Sequence, residues 1–102
     1  MTCQRCNLGV RHVAITLAPV EDERRGLLAW CVVDLGVLVV DSVTVRRTIT
    51  GELRVVMPAT RRGSGGRHPV VTLIDAGLRG RIHAAVLAEH ARVRARAGKA
   101  AP

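Results

Sequence analysis

Two arginines near the start of a predicted helix, Arg79 and Arg81, have the side-chain chemistry best suited to binding phosphate. A guanidinium donates paired hydrogen bonds to phosphate oxygens, and a helix N-terminus adds free N–H groups and the positive end of the helix dipole. Two arginines at this end work against the dipole, so stability alone does not explain them. We therefore expect phosphate contacts there; the alternative is an ordinary solvated helix face.

Two further groups of arginines extend this interpretation. One group lies in a glycine-rich stretch, residues 60–67, which is predicted to be a mobile basic loop. The other lies near the C-terminal end of the helix, where Arg92 and Arg96 are one turn apart and Arg94 is expected on another side. For both groups the alternative is solvated surface with no binding role. The candidate nucleic-acid-binding residues are Arg79, Arg81, Arg61, Arg62, Arg67, Arg92 and Arg96.

The charge of the chain is segregated along its length. The formal net charge is +8 over 102 residues. Arginines and acidic residues cancel in residues 1–53, so the whole excess lies in residues 54–102. A lopsided basic field favours a polyanion through Coulomb attraction and counterion release. Coding bias in a GC-rich genome would also enrich arginine, but it does not explain the segregation. We expect a nucleic acid, DNA and in addition RNA, as the partner.

The cysteines and acidic residues give little support for a metal site or for catalysis. Cys3 and Cys6 have the Cys-x-x-Cys spacing that can begin a zinc site. A structural zinc needs four ligands, and only His12 lies nearby in the sequence, so Cys3 and Cys6 are weak candidates and no cofactor is expected. The acidic residues are scattered, and no phosphate-binding glycine motif is present. We expect no enzymatic activity and no small-molecule substrate.

The sequence also favours one cellular compartment. No apolar run approaches the roughly 20 residues needed to cross a bilayer, and no secretory signal is evident at the start of the chain. Three cysteines without an export signal are typical of a reducing compartment. We expect a cytoplasmic protein with no membrane partner.

The hydrophobic pattern predicts an α+β domain, made of an antiparallel sheet of four to five strands followed by one C-terminal α-helix. Strands are expected at His12–Leu17, 27–35, 37–45, 53–57 and, for the fifth, 70–74, with 19–26 as an exposed connection. Asp75 is the expected N-cap of a helix over 76–97, whose inward stripe includes Leu78, Ile82 and Val86. A single domain at 11–97 then lies between a short loose segment at 1–10 and a frayed tail at 98–102.

The core must be aliphatic, because Trp30 is the only aromatic residue. Residues 27–35 are nearly all apolar, which is typical of a strand buried on both faces. Trp30 is therefore expected in the core, and Cys31 is expected to act as a small buried hydrophobe. A protein with no exposed aromatic ring offers no platform on which single-stranded bases can stack. Binding is expected to be directed to the phosphate backbone and to be sensitive to salt.

Three segments, in order and at matching spacing, resemble one known family. They are VVDSVTV at residues 39–45, LRVVMP at 53–58 and RGRIHAAVLAE at 79–89. These look like the valine-rich strand, a strand end and the helix of the septation-regulator family of stage V sporulation protein G. The chain departs from the family pattern at Thr44, Arg54, Arg67 and His90, which would make it a divergent member.

The resemblance implies a homodimeric regulator that binds DNA, and in some members RNA, and that influences septation or sporulation genes. It also implies that Arg79 and Arg81 lie at the nucleic-acid-binding face. The leading hypothesis is therefore a homodimeric DNA/RNA-binding regulatory protein. The alternative is a protein-interaction module that pairs with another chain through an exposed valine-rich edge strand.

Overall fold

The computed structural model describes residues 9–62 and 66–98 of the chain. The fold is α+β, with a four-stranded antiparallel sheet and a C-terminal helix, as the sequence predicts. The elements are β1 (His12–Leu17), α1 (Val20–Arg24), β2 (Leu27–Asp34), β3 (Val39–Arg47), β4 (Leu53–Val56), β5 (Ala59–Arg62), β6 (Gly66–Pro69) and α2 (Ala76–Arg96). No helix within the described ranges is long and apolar enough to cross a membrane.

The main sheet is a simple meander in the order β1-β2-β3-β4, and each neighbouring pair is antiparallel. Gly36, at a φ of 90°, allows the tight turn between β2 and β3, and its N–H donates to the Asp34 carboxylate at 2.7 Å. β1 and β4 form the edges of the sheet. β3 pairs with β4 at residues 44–47. The expectation that the valine-rich strand is an edge is therefore wrong for the second half of β3.

The C-terminal helix begins and ends close to the predicted residues. The Asp75 carboxylate caps its start by accepting a hydrogen bond from the N–H of Gly77 at 2.9 Å. Gly98, at a φ of 74°, follows the last turn, where a residue in the left-handed conformation commonly ends a helix. The signals that start and stop α2 are thus local and can be recognised in the sequence.

One face of the main sheet packs against α2 to form the core. Side chains that lie opposite each other on neighbouring strands, such as Cys31 and Val43, supply the sheet side. Leu78, Ile82 and Val86 supply the helix side, which confirms the predicted inward stripe. Burying one such aliphatic side chain stabilises the fold by about 1.5–3 kcal/mol. Because α2 packs on this face, the opposite face of the sheet is left without a helix among the described residues.

The inward stripe of α2 continues past the apolar core with two polar side chains, His90 and Arg94. Both are buried, whereas Arg92 and Arg96 are exposed, so Arg94 lies on another side of the helix from those two residues, as predicted. The Arg94 guanidinium donates to the Glu23 carboxylate of α1 at 3.2 Å. Burial and the neighbouring Arg94 charge lower the pKa of His90, and the Glu23 charge opposes this shift. The end of α2 is therefore held to α1 by a charged contact.

Three connections differ from the sequence-based expectations. The segment after β1 contains the helix α1, whose five residues are too few to show a helical period. The predicted basic loop is in large part the hairpin β5–β6, although residues 63–65 lie outside the described ranges. Residues 70–74 contain no strand, so the main sheet has four strands and no fifth.

The lowered pKa of His90 makes the stability of the fold depend on pH. The unfolded chain binds a proton as pH falls through the ordinary value of 6.5, whereas the folded chain binds it only at lower pH. The stability that His90 contributes is therefore fully present above pH 6.5 and is lost as pH falls through the lowered pKa. We expect His90→Leu to remove this loss, because leucine extends the apolar stripe and does not titrate. Urea unfolding at a series of pH values measures the free energy of unfolding of both proteins and so the pH dependence.

His83 provides a matched control, because it lies on the same helix and is exposed. His83→Leu should retain the decline in stability at acidic pH. If His90→Leu followed the same pH curve as the unmodified chain, the buried imidazole would not be the group responsible.

The contact between Glu23 and Arg94 generates a second prediction. Glu23→Gln keeps the shape of the side chain but removes the charge that compensates buried Arg94, and should lower the free energy of unfolding by about 1.5–3 kcal/mol. Chemical denaturation measures the change. Glu21→Gln, an exposed position of the same helix, should stay within about 0.5 kcal/mol. If the two variants lost equal free energy of unfolding, the cause would be a change within α1 and not the loss of the contact between Glu23 and Arg94.

Candidate nucleic-acid interface

The helix start that the sequence marks as a phosphate site has internal contacts of its own. Arg79 is exposed, and its guanidinium donates to the carbonyl oxygen of Leu73. Arg81 is also exposed, and its Nη1 lies 3.4 Å from the position that a Cβ on Gly77 would occupy. The Asp75 carboxylate already occupies the first turn, where an anion would use the free N–H groups and the dipole. Phosphate contacts at this end would therefore come from the guanidiniums alone.

Arg92 and Arg96 lie near the other end of α2 and share one acidic partner. Their guanidiniums lie 3.1 Å and 3.5 Å from the two carboxylate oxygens of Glu89. Exposed pairs of this kind contribute at most about 1 kcal/mol, so they can exchange partners. At 1.5 Å of rise per residue, Arg79 and Arg96 are about 25 Å apart along the helix axis. The structure therefore does not bring the two predicted groups on α2 together.

Arg61, Arg62 and Arg67 belong to the β5–β6 hairpin. In its ladder Arg61 is paired with Arg67, and Arg62 is paired with Gly66. The backbone of these residues is thus a hairpin and not the loop that the sequence predicts. Their side chains lie outside the described part of the structure, and phosphate contacts at these positions stay a prediction.

The structure brings together a group of arginines that sequence reasoning missed. Arg24, Arg25 and Arg47 line a cavity of about 200 Å³ between the end of α1 and the end of β3. Arg46 lies next to Arg47 in the chain and directly opposite Arg54 of β4. We call these five residues the sheet-end arginines; they form two sets, because Arg46 and Arg47 are successive residues of a strand and point to opposite faces of the sheet. The adjacent pairs Arg24-Arg25 and Arg46-Arg47 are the sequence signal that could have marked them. The antiparallel strands β2 and β3 bring the second pair back beside the first, with Arg46 opposite Leu27.

The acidic residue next to this group in the chain, Glu23, is engaged elsewhere. Its side chain pairs with Arg94, and its backbone carbonyl accepts from Arg47 Nη2 at 2.9 Å. Arg46 and Arg54 form no salt bridge with any described residue, and Arg46 Nε is buried without a hydrogen-bond partner among them. Like charges directly opposite each other on neighbouring strands are destabilising. The stability of the free chain therefore does not explain this arrangement.

Trp30 is exposed, so the expectation that it lies in the core is wrong. Its side chain is 38% exposed, whereas Ala29 and Cys31 on either side are buried. Successive residues of a strand point to opposite faces, and Trp30 therefore points away from α2. The outer face is our name for the side of the main sheet that α2 does not cover. On this face Thr16 and Thr44 lie directly opposite Trp30, and Arg46 and Arg54 lie opposite each other on the next pair of strands.

The described residues offer no metal site, and the thiol of Cys31 is not activated. No group of three or more His, Cys, Asp or Glu within them could hold a metal ion. Cys31 is buried as predicted, and burial raises the pKa of its thiol to about 11, so the reactive thiolate is scarce near neutral pH. Cys3 and Cys6 lie outside the described residues. The expectations of no cofactor and no enzymatic activity stay predictions.

Neither a scan of protein-family models nor a search of curated proteins finds a match to this chain. The resemblance to the septation-regulator family therefore stays an interpretation of three segments.

The opposed pair Arg46 and Arg54 should cost the free chain some stability. We expect Arg54→Gln to raise the free energy of unfolding by about 0.2–1 kcal/mol, because it removes a cross-strand repulsion and keeps a long polar side chain. Urea denaturation at low ionic strength measures the gain, which should shrink as salt screens the charges. Arg54→Lys keeps the charge and is the control. If Arg54→Gln and Arg54→Lys raised the free energy of unfolding equally, the cause would be packing and not charge repulsion.

Proposed function

We propose that this chain is a nucleic-acid-binding regulatory protein that acts as a cytoplasmic homodimer, of the kind found in the septation-regulator family. The observation that carries the proposal is that Arg46 faces Arg54 across two strands with no salt bridge to a described residue, at the end of β3 where Arg47 lines a cavity with Arg24 and Arg25. The free chain gains no stability from this arrangement. Bound phosphates would offset the repulsion, and a net charge of +8 would speed the encounter with a polyanion.

The binding mode follows from the kind of contact. Arginine side chains on phosphates position a nucleic acid but do not read its sequence. Arg24, Arg25 and Arg54 are exposed at the sheet end, and other arginines are exposed at both ends of α2, so affinity comes from several dispersed contacts and falls steeply with salt. The regulatory role and the homodimer rest on the resemblance of residues 39–45, 53–58 and 79–89. The proposal includes no catalytic step and no small-molecule substrate.

A second candidate function is strand pairing with another protein. Residues 39–43 of β3 are not paired with β4, and several of them line an apolar cleft of about 570 Å³ together with Pro58 and Val70. Val37 and Val39 beside it are more than half exposed. An open strand edge next to an apolar cleft can accept an added strand through main-chain hydrogen bonds. A second copy bound there would form the homodimer, whereas a different protein would make the chain an interaction module.

Salt dependence separates the two candidates. We expect the chain to bind a labelled DNA duplex and a labelled RNA at low salt. For duplex DNA the logarithm of the affinity should fall against the logarithm of the salt concentration with a slope of about −0.9 per phosphate contact. Strand pairing with a protein should tolerate the same salt. Failure to bind either nucleic acid at low salt would refute the proposal and leave the open edge of β3 as the leading candidate.

Paired substitutions identify which arginines contact phosphate. Arg24→Gln combined with Arg25→Gln should reduce the salt slope by about two units, one for each phosphate that is no longer neutralised. Both residues are exposed at the sheet-end cavity, so the change should leave the fold intact. The same double change at Arg79 and Arg81 tests the helix start that the sequence indicates. Fluorescence anisotropy of a labelled duplex over a range of salt concentrations measures each slope.

Arg92→Gln combined with Arg96→Gln is the matched control. It removes the same charge from the protein, but Glu89 already compensates these two arginines, so its effect on the slope should be smaller. Equal reductions in all three double variants would show a response to net charge alone, and would contradict a defined site.

A further inference from the structure

We propose that the outer face of the main sheet is a stacking platform for the bases of single-stranded nucleic acid, with Trp30 as the ring on which a base stacks. The inference rests on the proposed function and deepens it, because it names the strandedness of the ligand and adds a contact to bases. It also reverses the expectation from the sequence, which excludes such a platform by placing Trp30 in the core.

The exposure of Trp30 is not explained by the packing of the described chain. β2 is an interior strand, and its side chains on the core face are small at this point, namely Ala29 and Cys31. A tryptophan pointing inward would bury the largest apolar side chain available to an aliphatic core, yet the ring points outward and remains 38% exposed. An aromatic ring displayed on the open face of a sheet is the feature by which sheet-based modules stack single-stranded bases.

The residues beside Trp30 leave its ring accessible. Thr16 and Thr44 are its direct cross-strand neighbours, and Thr16 is exposed while Thr44 is half-buried. The Cβ atoms of directly opposed residues are about 4.5–5.5 Å apart. At that distance a threonine side chain is too short to cover the indole of Trp30. Each hydroxyl can donate and accept a hydrogen bond. The ring is therefore flanked by small polar groups suited to the edge of a stacked base.

The two arginines of the outer face are placed to hold the phosphates that flank such a base. Arg46 is two residues beyond Thr44 on the same strand, which makes it a diagonal neighbour of Trp30. Diagonal neighbours are about 7–8 Å apart, within reach of a long side chain. Arg54 lies opposite Arg46, on the side away from the ring. A strand that stacks one base on Trp30 would thus run its backbone over two guanidiniums that lack a salt bridge in the described chain.

Charge and base accessibility favour a single strand as the ligand of this face over a second copy of the chain or a duplex. A second copy of the chain seated on Trp30 would remove Arg46 and Arg54 from water, and burying an unpaired charge is costly. A duplex supplies phosphates, but its bases are stacked on one another and none is free for the indole. A single strand supplies both a free base and a phosphate for each guanidinium.

The fluorescence of the chain provides a direct test. Trp30 is the only aromatic residue, since the chain has one Trp and no Tyr or Phe, so its emission reports on the outer face alone. Titration with a single-stranded oligonucleotide should quench this emission, because a base would lie against the indole. An abasic oligonucleotide of the same length keeps the phosphates, and should bind more weakly with little quenching. A duplex of the same sequence should bind without quenching.

Two substitutions separate stacking from general apolar contact. Trp30→Leu should weaken binding of the single strand by about 5–150-fold, the range expected for one stacked base, and should leave duplex binding unchanged. Trp30→Phe keeps an aromatic ring and should show an intermediate affinity. Anisotropy of labelled oligonucleotides measures both variants, and circular dichroism checks that they are folded. If neither variant folds, the quenching of the unmodified chain by the single strand against the abasic strand decides the question.

Distinct outcomes would overturn the inference and the proposed function. If Trp30→Leu bound the single strand as tightly as the unmodified chain, and both bindings fell with salt, stacking would be refuted and the proposed function would stand. If the emission of Trp30 changed with protein concentration and not with oligonucleotide, the outer face would be covered by a second copy, which would refute stacking. Failure of the unmodified chain to bind any of the three oligonucleotides would overturn both.

Discussion

The packing of one helical stripe against one face of a four-stranded sheet is the interaction on which the rest of this structure depends. The stripe repeats at every fourth position of α2, through Leu78, Ile82 and Val86, and it meets the valine-rich inner face of the sheet. The described residues form two layers around one core, so α2 covers one face of the sheet and no described helix covers the other. Polar outer residues such as Thr16 and Thr44 suit that solvated face. Trp30 between them does not, and the proposed stacking contact would account for its position.

The same stripe explains why Arg24 and Arg25 have no salt bridge to a described acidic residue. Where the apolar positions of α2 end, Arg94 continues the stripe and draws the Glu23 side chain of α1 toward the helix layer. The Glu23 carboxylate, the acidic group nearest in sequence to Arg24 and Arg25, therefore pairs with Arg94. Arg24 and Arg25 remain exposed at the C-terminal end of α1. The contact that fastens the helix end to α1 therefore leaves an excess of positive charge at the sheet end. Under the proposed function, stability and binding would both depend on the position of the Glu23 side chain.

The predictable parts of this protein are those with local signals. Alternation in β1, the Asp75 cap and the stripe of α2 all repeat or end within one segment, and each is read correctly from the sequence. Residues 27–35 are so uniformly apolar that no alternation shows which way Trp30 points; only the pairing with the neighbouring strands does. The juxtaposition of Arg46 and Arg54 depends in the same way on the register across a turn, since a slip of one residue would reverse the faces. Sequence reasoning therefore located basic segments but not the site they form.

The contacts proposed on the outer face discriminate by strandedness more than by sequence. An indole stacks on any base and a guanidinium binds any phosphate, so neither Trp30 nor Arg46 selects a particular nucleotide. The hydroxyls of Thr16 and Thr44 are short and can donate or accept, which permits several base edges. In the proposed homodimer two such faces would be linked, and binding at the second becomes intramolecular once the strand reaches it. Affinity then rises with the length of unpaired strand, so a regulator built this way responds to how much nucleic acid is single-stranded and not to what it encodes.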